Sequence, residues 1–219
     1  MNNKLRITIS LLLVVISALF LLMVLEVDVA NIGPNGTSIG LSQFNYSISK
    51  AIGTNMTLYK LTEYAGYIAI LIVLLFALTG LAELIKRKSF AKVDREIYAL
   101  GALYIAIGII YVFFEKVVIN YRPVIMEGET APEASFPSSH TLLALTVFLS
   151  AALVLGKYIK NKGLCTILRV ILVLLAIFTV VGRLMSGVHW ASDIIASVLF
   201  SATLLSFFLT VIKKDKRTE

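Results

Sequence analysis

The histidines His140 and His189 are the only imidazoles in the chain, and each lies in a short polar segment beside an apolar run. Asp193 follows His189 by four residues, so on a helix the two side chains would share a face. A carboxylate placed there accepts the Nδ1 proton of the imidazole and leaves Nε2 free as a nucleophile or base. The pair therefore predicts nucleophilic or acid–base chemistry, with a merely structural hydrogen bond as the alternative.

The residues near the two histidines are of types that bind phosphate. Pro137 favours the first turn of a helix, which would place Ser138 and Ser139 at a helix N-terminus, where free N–H groups and the helix dipole attract an anion. Arg122 and Arg183 supply forked donors that match phosphate oxygens. With one histidine attacking phosphorus and the other protonating the leaving oxygen, these residues predict a phosphate-handling site. Taken singly, an arginine beside lipid headgroups or a serine N-cap needs no catalytic role.

The composition of the chain is that of a membrane protein. Its 219 residues are 58% hydrophobic and only 15% charged, and the mean hydropathy is +0.91. A soluble globule of this size could not bury so much apolar surface. The single cysteine, Cys165, excludes an internal disulfide and a cysteine-based zinc cluster, and two histidines exclude a multi-histidine metal site. The net charge of +7 lies in short clusters between apolar runs, which indicates membrane topology rather than nucleic-acid binding.

Six apolar runs are each about long enough to cross a bilayer as a helix. They are Ile7–Leu25, Tyr64–Leu84, Ile97–Val118, Ser139–Gly156, Thr166–Met185 and Trp190–Ile212. We therefore predict an all-α, integral-membrane bundle of six transmembrane helices in a single domain over residues 1–219. The first run is longer than the apolar core of a signal peptide and lacks a clear cleavage site, so we expect an uncleaved span. Between the first two spans, the spacing of Leu41, Phe44 and Ile48 favours a short interfacial helix over an ordered loop.

Loop charges predict the orientation of the bundle. With six spans, the basic clusters all fall on one side: Lys4 and Arg6; Lys86, Arg87, Lys88, Lys92 and Arg95; Lys157, Lys160 and Lys162; and Lys213, Lys214, Lys216 and Arg217. The opposite side carries Glu127, Glu129 and Glu133. We therefore predict cytoplasmic N and C termini. Three polar clusters, residues 115–123, 136–141 and 182–193, contain the site candidates named above. In this orientation all three lie together on the extracytoplasmic side of the cell membrane.

These clusters resemble the motifs of a known family. The type 2 phosphatidic acid phosphatase superfamily of integral-membrane lipid phosphatases, relatives of the vanadium haloperoxidases, carries Lys-x6-Arg-Pro, Pro-Ser-Gly-His and Ser-Arg-x5-His-x3-Asp. Here Arg122-Pro123 matches the first motif, Pro137-Ser138-Ser139-His140 the second, and Gly182-Arg183 with His189 and Asp193 the third. The matched core covers about residues 115–193, and the six-span layout extends the resemblance to nearly the whole chain.

The resemblance implies a mechanism that needs no metal and no cofactor. His189 would be the nucleophile that forms a phosphohistidine, Asp193 would orient it, and His140 would protonate the leaving group and then activate water. The phosphate oxygens would be held by Arg122, Arg183, Ser138 and Ser139, together with a lysine of the first motif.

Three positions depart from the family motifs. Gly182 replaces the usual serine, and Ser139 replaces the usual glycine but keeps its backbone N–H. Glu115 stands six residues before Arg122, where the family has lysine, and Lys116 follows it. One residue is a turn of about 100° on a helix, so the sequence leaves open whether Lys116 or Glu115 takes the place of that lysine. We keep Lys116 as a phosphate-binding candidate and expect Arg122 and Arg183 to make the main contacts.

The predicted substrate is a lipid phosphate or diphosphate. The short connections between spans are typical of a compact bacterial enzyme, and an isoprenoid diphosphate such as undecaprenyl diphosphate is favoured. Phosphatidylglycerol phosphate and phosphatidate are the other candidates. The partners expected are this lipid substrate and the surrounding membrane lipids, without nucleic acid, and the oligomeric state is left open. The alternative from another class is a lipid-phosphate binding or transport protein that kept the fold without catalysis.

Overall fold

A computed structural model of the chain describes residues 3–213. Seven α-helices are present there: α1 (Asn3–Glu26), α2 (Ser42–Ile52), α3 (Met56–Arg87), α4 (Arg95–Lys116), α5 (Ser139–Tyr158), α6 (Lys162–Met185) and α7 (Ala191–Ile212). All except α2 are long and apolar enough to cross a membrane. Within the described residues, β-pairing is limited to two isolated bridges, Ala30 with Ile39 and Tyr121 with Ala134. The predicted all-α fold with six transmembrane spans is confirmed.

The helices differ from the predicted spans mainly at their ends. Helix α3 begins eight residues before Tyr64, because the Asn55 side chain accepts a hydrogen bond from the Leu58 N–H at 3.0 Å and caps the extra turns. Helix α4 ends at Lys116, so Val117 and Val118 lie beyond it. Helices α1, α3 and α6 therefore begin several residues before the predicted spans. The added residues include polar side chains, which hydropathy alone excludes from a span.

Helix α5 is the centre of the bundle. Half of its most apolar stretch is buried, the largest share among the six spans. Its residues Leu142, Val147 and Phe148 pack with α3, α4 and α6 in one hydrophobic cluster. On α3 the facing residues are small (Ala65, Gly66 and Ala69), which lets the two helices approach closely, as is common in membranes.

Hydroxyl groups link helices across the interior of the bundle. Such hydrogen bonds hold membrane helices together where apolar burial gives no net driving force. The pairs are Ser10 with Ser206 and Ser17 with Thr203 between α1 and α7, Thr146 with Ser201 between α5 and α7, and Tyr104 with Ser150 between α4 and α5.

The described basic segments gather at one end of the bundle. Arg6 Nη1 donates a hydrogen bond to the Lys213 carbonyl at 2.6 Å, so the start of α1 lies beside the end of α7. At the same end, Asp94 lies 2.8 Å from Arg87 and 2.9 Å from Lys157 in an ion-pair cluster. Three further basic residues assigned to this side, Lys214, Lys216 and Arg217, lie outside the described residues. Which membrane face this end occupies remains a prediction.

The short helix expected between the first two spans is present as α2. Its buried side chains are polar, however: Ser42 and Asn45 are enclosed, whereas Phe44 is 43% exposed. Helix α2 packs against α7. The apolar spacing predicted the helix correctly, but its contact with the protein is made by the polar face.

Candidate active site

The three polar clusters meet at the end of the bundle opposite the ion-pair cluster. The first lies between the end of α4 and the start of α5, the second begins α5, and the third joins α6 to α7. Backbone bonds fix the first cluster to the segment before α5, because Arg122 N–H donates to Glu133 O and Ser135 N–H donates to Asn120 O, each at 2.9 Å. The Trp190 indole donates to the Tyr121 carbonyl at 2.6 Å and ties the first cluster to the third.

A cavity of about 210 Å³ opens where these segments meet. Its polar lining comes from six ionisable residues and two serines: Tyr111, Arg122, Glu115, Glu133, His140, His189, Ser135 and Ser139. Both imidazoles of the chain therefore face one enclosed space, together with a guanidinium and the start of a helix. Of the residues predicted for the site, His140, His189, Arg122 and Ser139 line this cavity, whereas Arg183 and Ser138 do not. The sequence did not predict the two carboxylates.

His189 is 4% exposed, and neither of its ring nitrogens has a hydrogen-bond partner. Its Nδ1 lies 3.6 Å from Asp193 Oδ2, just beyond hydrogen-bond distance. Burial lowers the pKa of His189 below its ordinary value of 6.5, and the positive charges of Arg122 and Arg183 act in the same direction, while Asp193 opposes them. The imidazole is therefore neutral near pH 7, with Nε2 available for attack.

The relation between His189 and Asp193 corrects the expected helical face. Helix α7 begins at Ala191 with Trp190 as its N-cap residue, so His189 lies outside the helix. The physical reason is that Asp193 caps the helix: its Oδ2 accepts the Trp190 N–H at 3.1 Å. Pro137 likewise lies before its helix rather than in the first turn, because Ser138 is the N-cap of α5.

Asp193 is fully buried and held from two sides. Its Oδ2 accepts the backbone N–H of Trp190, and its Oδ1 accepts a hydrogen bond from the Asn120 side chain at 3.0 Å. A carboxylate with both oxygens occupied has one orientation. That orientation places Oδ2 opposite His189.

Ser138 precedes α5 as its N-cap residue, and Ser139 and His140 are the first two residues of the helix. Ser139 lines the cavity, whereas Ser138 is buried behind it, with its hydroxyl 3.0 Å from Thr141 Oγ1. Gly66 of α3 makes room for the imidazole of His140, since a Cβ at that position would lie 2.9 Å from His140 Cδ2. The Nδ1 of His140 is buried without a partner.

Tyr59 of α3 lies between the two arginines. Its ring centroid is 4.6 Å from the Arg183 guanidinium and 5.9 Å from that of Arg122, within the range of cation–π attraction. Arg183 is 0% exposed, and none of its three guanidinium nitrogens has a hydrogen-bond partner. A buried guanidinium without an acceptor is costly, so this group is suited to an anion that enters the site.

Arg122 is paired with a carboxylate at the mouth of the cavity. Its Nε lies 2.8 Å from Glu133 Oε2, but the N–H direction does not form a hydrogen bond, and Nε and Nη1 remain without partners. Glu115 and Lys116 are the two residues that could replace the lysine of the first family motif. Glu115 lines the cavity, whereas Lys116 is exposed and does not.

An apolar groove of about 450 Å³ adjoins the cavity. Residues of α3, α4 and α5 line it, and it shares Tyr111, Ser139, His140 and Leu142 with the polar cavity. The groove lies among membrane-spanning helices, so a molecule that fills both spaces carries a polar head and an apolar tail.

The sequence reasoning missed several residues of the site. Asn120 stood within the first cluster without a role, although a buried asparagine needs partners for its amide. Tyr59 and Asn45 gave no local signal, because packing of α3 and α2 alone brings them to the site. Among residues 3–213, no group of three histidine, cysteine, aspartate or glutamate side chains is placed to hold a metal ion.

Comparison with known proteins places this site in a family context. The sequence matches the profile of the PAP2 superfamily over residues 96–217, more than half of the chain. The fold is similar to the crystal structure of a transmembrane PAP2-type phosphatidylglycerolphosphate phosphatase from Bacillus subtilis. The TM-score is 0.63 at 19% sequence identity, and the match covers 96% of this chain and 98% of that one. No curated protein matches the chain.

Proposed function

Because the chain belongs to the PAP2 superfamily, we propose that it hydrolyses a lipid phosphate or diphosphate through a phosphohistidine at His189. The observation that carries this proposal is the single cavity onto which both histidines open. A protein that only binds phosphate needs arginines, but it has no use for a buried neutral imidazole beside a second one.

The proposed reaction has two displacements. In the first, the lone pair of His189 Nε2 forms a bond to phosphorus while the bond from phosphorus to the lipid oxygen breaks, and His140 gives that oxygen a proton. In the second, His140 takes a proton from water, the water oxygen attacks phosphorus, and the N–P bond breaks to release phosphate. Asp193 holds the proton on His189 Nδ1 and stabilises the positive charge of the intermediate.

The phosphate oxygens are proposed to bind Arg183, Arg122 and the N–H groups at the start of α5, including that of Ser139. The open guanidinium nitrogens of both arginines support this assignment. Ser138 does not line the cavity and is proposed to help position the start of α5 as its N-cap residue. Lys116 is exposed and lies outside the cavity, whereas Arg122 lines it. Arg183 does not line the cavity, but it is buried and packs on the same Tyr59 ring as Arg122. We therefore propose the two arginines as the main ligands.

The substrate is proposed to place its tail in the apolar groove beside His140. Undecaprenyl diphosphate and phosphatidylglycerol phosphate are the two substrates to compare. The second is named for the Bacillus subtilis protein with the similar fold. The purified chain in detergent should release phosphate from at least one of them, and phosphatidate is the third member of the panel.

The decisive variant is His189→Ala. It should abolish phosphate release and the covalent phosphoenzyme formed with radiolabelled substrate, because both need the imidazole. Cys165→Ser, at the opposite end of α6, is the matched control and should behave as wild type. Turnover should persist in EDTA and be inhibited by vanadate, which imitates pentacoordinate phosphorus. Undiminished turnover in His189→Ala would refute the mechanism, and an absolute need for added magnesium would refute metal independence.

The site is proposed to face the extracytoplasmic side of the cell membrane. In a Cys165→Ser background, Glu129→Cys lies at the site end and Lys92→Cys at the opposite end, and both positions are exposed. An impermeant thiol reagent applied to intact cells should label the first and not the second. The reverse pattern would place the site in the cytoplasm.

The second candidate function is a non-catalytic lipid-phosphate binder or transporter. The observation in its favour is Glu115, a carboxylate lining the cavity where the family has lysine. Binding of the lipid panel without phosphate release by wild-type protein would support this function instead.

A further inference from the structure

We propose that Asn120 is a positioning residue for the nucleophile, acting through Asp193. The inference rests on the proposed role of His189 as the attacking group. None of the family's specified motif residues falls on Asn120, and no local pattern indicated a role for it.

The Asn120 side chain is fully enclosed and lies directly against the carboxylate. Its Nδ2 donates to Asp193 Oδ1 at 3.0 Å and approaches Ser192 Oγ at 3.3 Å. The opposite amide orientation would turn an oxygen towards a carboxylate that can only accept hydrogen bonds, so the chemistry fixes which end faces Asp193. The amide oxygen of Asn120 has no partner, which means that the contact with Asp193 dominates the placement of this side chain.

The backbone around Asn120 is fixed before its side chain acts. The Asn120 carbonyl accepts the Ser135 N–H at 2.9 Å, and the next residue, Tyr121, accepts the Trp190 indole at 2.6 Å. Asn120 is therefore held between the segment before α5 and the start of α7. A side chain on so rigid a support can hold its partner within the narrow limits that catalysis needs.

A second asparagine extends this arrangement to α2. Asn45 accepts the Ser192 N–H at 3.0 Å and donates to Ser192 Oγ at 2.9 Å and to the Gly40 carbonyl at 2.8 Å. Ser192 Oγ thus lies between the amides of Asn45 and Asn120. Helix α2 therefore contacts the start of α7 on one side through Asn45, and Asn120 contacts it on the other side.

The consequence for the reaction concerns the rotation of the Asp193 carboxylate about its χ2 torsion angle. Oδ2 of Asp193 faces His189 at 3.6 Å, and the hydrogen bond from Asn120 to Oδ1 prevents the carboxylate from rotating away. Without Asn120, Asp193 loses one hydrogen-bond donor and its Oδ2 is less well fixed opposite His189. The Nδ1–H tautomer of His189 is then stabilised less relative to the Nε2–H tautomer. The nucleophilic Nε2 lone pair is then present in fewer molecules, so kcat falls while the arginines that bind phosphate are unchanged.

The test compares Asn120→Ala and the isosteric Asn120→Asp with wild type. We expect kcat to fall roughly 10- to 100-fold in both, with KM changed less than threefold. Asn120→Ala loses a charge-assisted hydrogen bond to Asp193, whereas Asn120→Asp places a second carboxylate against it. Asn161→Ala is the matched control, because it removes an asparagine that caps α6 at the opposite end. This control should lower thermal stability without lowering kcat.

A readout independent of turnover is the tautomer of His189. The chain has only two histidines, so ¹⁵N-histidine spectra of protein carrying a histidine-free affinity tag contain two imidazoles, and His189→Ala assigns them. We expect the Nδ1–H form of His189 to dominate in wild type and to decrease in Asn120→Ala, with His140 unchanged. This measurement remains valid if no lipid of the panel is hydrolysed, which separates the inference from the proposed function.

If Asn120→Ala does not fold, Asn120→Asp and Ser192→Ala carry the test. Ser192→Ala keeps the bond from Asn120 to Asp193 and should reduce kcat less than Asn120→Asp. The inference is overturned if Asn120→Asp keeps kcat within twofold of wild type, or if the His189 tautomer is unchanged. A larger loss in Ser192→Ala than in Asn120→Asp would also overturn it.

Discussion

Restoring the family's serine at Gly182 should destabilise this protein. A Cβ at Gly182 would lie 2.6 Å from Thr62 Cγ2 on α3, closer than carbon atoms approach in folded proteins. Thr62 cannot easily move aside, because it is fully buried and its hydroxyl bonds to the Leu58 and Tyr59 carbonyls at 3.0 and 2.7 Å. The packing of α3 on α6 thus gives a physical reason for the glycine.

The magnitude follows from two opposing terms. Overpacking of an interior costs about 1–3 kcal/mol, and replacing a helical glycine by serine returns about 0.5 kcal/mol of helix propensity. The net loss for Gly182→Ser is therefore about 0.5–2.5 kcal/mol, which lowers Tm by roughly 1–10 °C in a chain of this size. Activity should fall as well, because separating α6 from α3 moves Arg183 away from Tyr59.

Thr62→Ser provides the compensating change. It removes the methyl group that clashes, keeps the hydroxyl, and should cost about 1 kcal/mol alone. The double variant should be about as stable as Thr62→Ser and should regain activity. Gly101→Ser is the matched control, since nothing lies within 4 Å of a Cβ at that helical glycine. Thermal unfolding in detergent and phosphate release measure all four variants, and simple additivity of the two single losses would refute the reasoning.

Four further predictions concern the ionisable groups of the site. Arg122→Ala should lower kcat/KM about 10- to 100-fold through loss of charge-assisted hydrogen bonds, whereas Lys116→Ala should stay near wild type; equal losses would contradict the assignment. Glu133→Gln should lower KM with kcat unchanged, because substrate phosphate then no longer competes with the Glu133 carboxylate for Arg122; an unchanged KM would count against that competition. The acid limb of kcat/KM should lie below pH 6.5, because burial lowers the pKa of His189 and keeps it neutral. Below that pH the unfolded chain binds a proton that native His189 does not, so stability should decrease as pH falls, and His189→Gln should remove this contribution.

Local sequence signals predicted the helices and the motif-bearing end of the bundle. Hydropathy located the six spans because a bilayer requires about twenty apolar residues from each, whatever their neighbours. Loop charges then placed the three motifs at one end, and the described helices confirm that grouping. The spacing of Leu41 and Ile48 was sufficient to indicate α2.

Contacts between distant elements lay beyond the reach of the sequence. Tyr59 lies near Arg183 only because α3 packs on α6, and Asn45 reaches Ser192 across 147 positions of the chain. The spacing of His189 and Asp193 suggested one helical face, but the capping of Trp190 by Asp193 shortened the helix. The spacing of two residues shows that their side chains can meet. The distance between them depends on their other hydrogen-bond partners, here the Trp190 N–H that Asp193 accepts.

The pairing of α1 with α7 has a consequence for the order in which the protein assembles. Helix α1 packs mainly against α7, and hydroxyl pairs join them at Ser10 and Ser17. During synthesis, α1 emerges before the other six helices and α7 after them. The contacts of α1 with α7 therefore cannot be complete until translation has reached Ile212. In the folded protein the Ser10 hydroxyl also donates to the Arg6 carbonyl at 3.0 Å, a partner within α1 that does not depend on α7. Of the seven described helices, the first to be synthesised is thus among the last to complete its packing, and it does so together with α7, which carries Asp193.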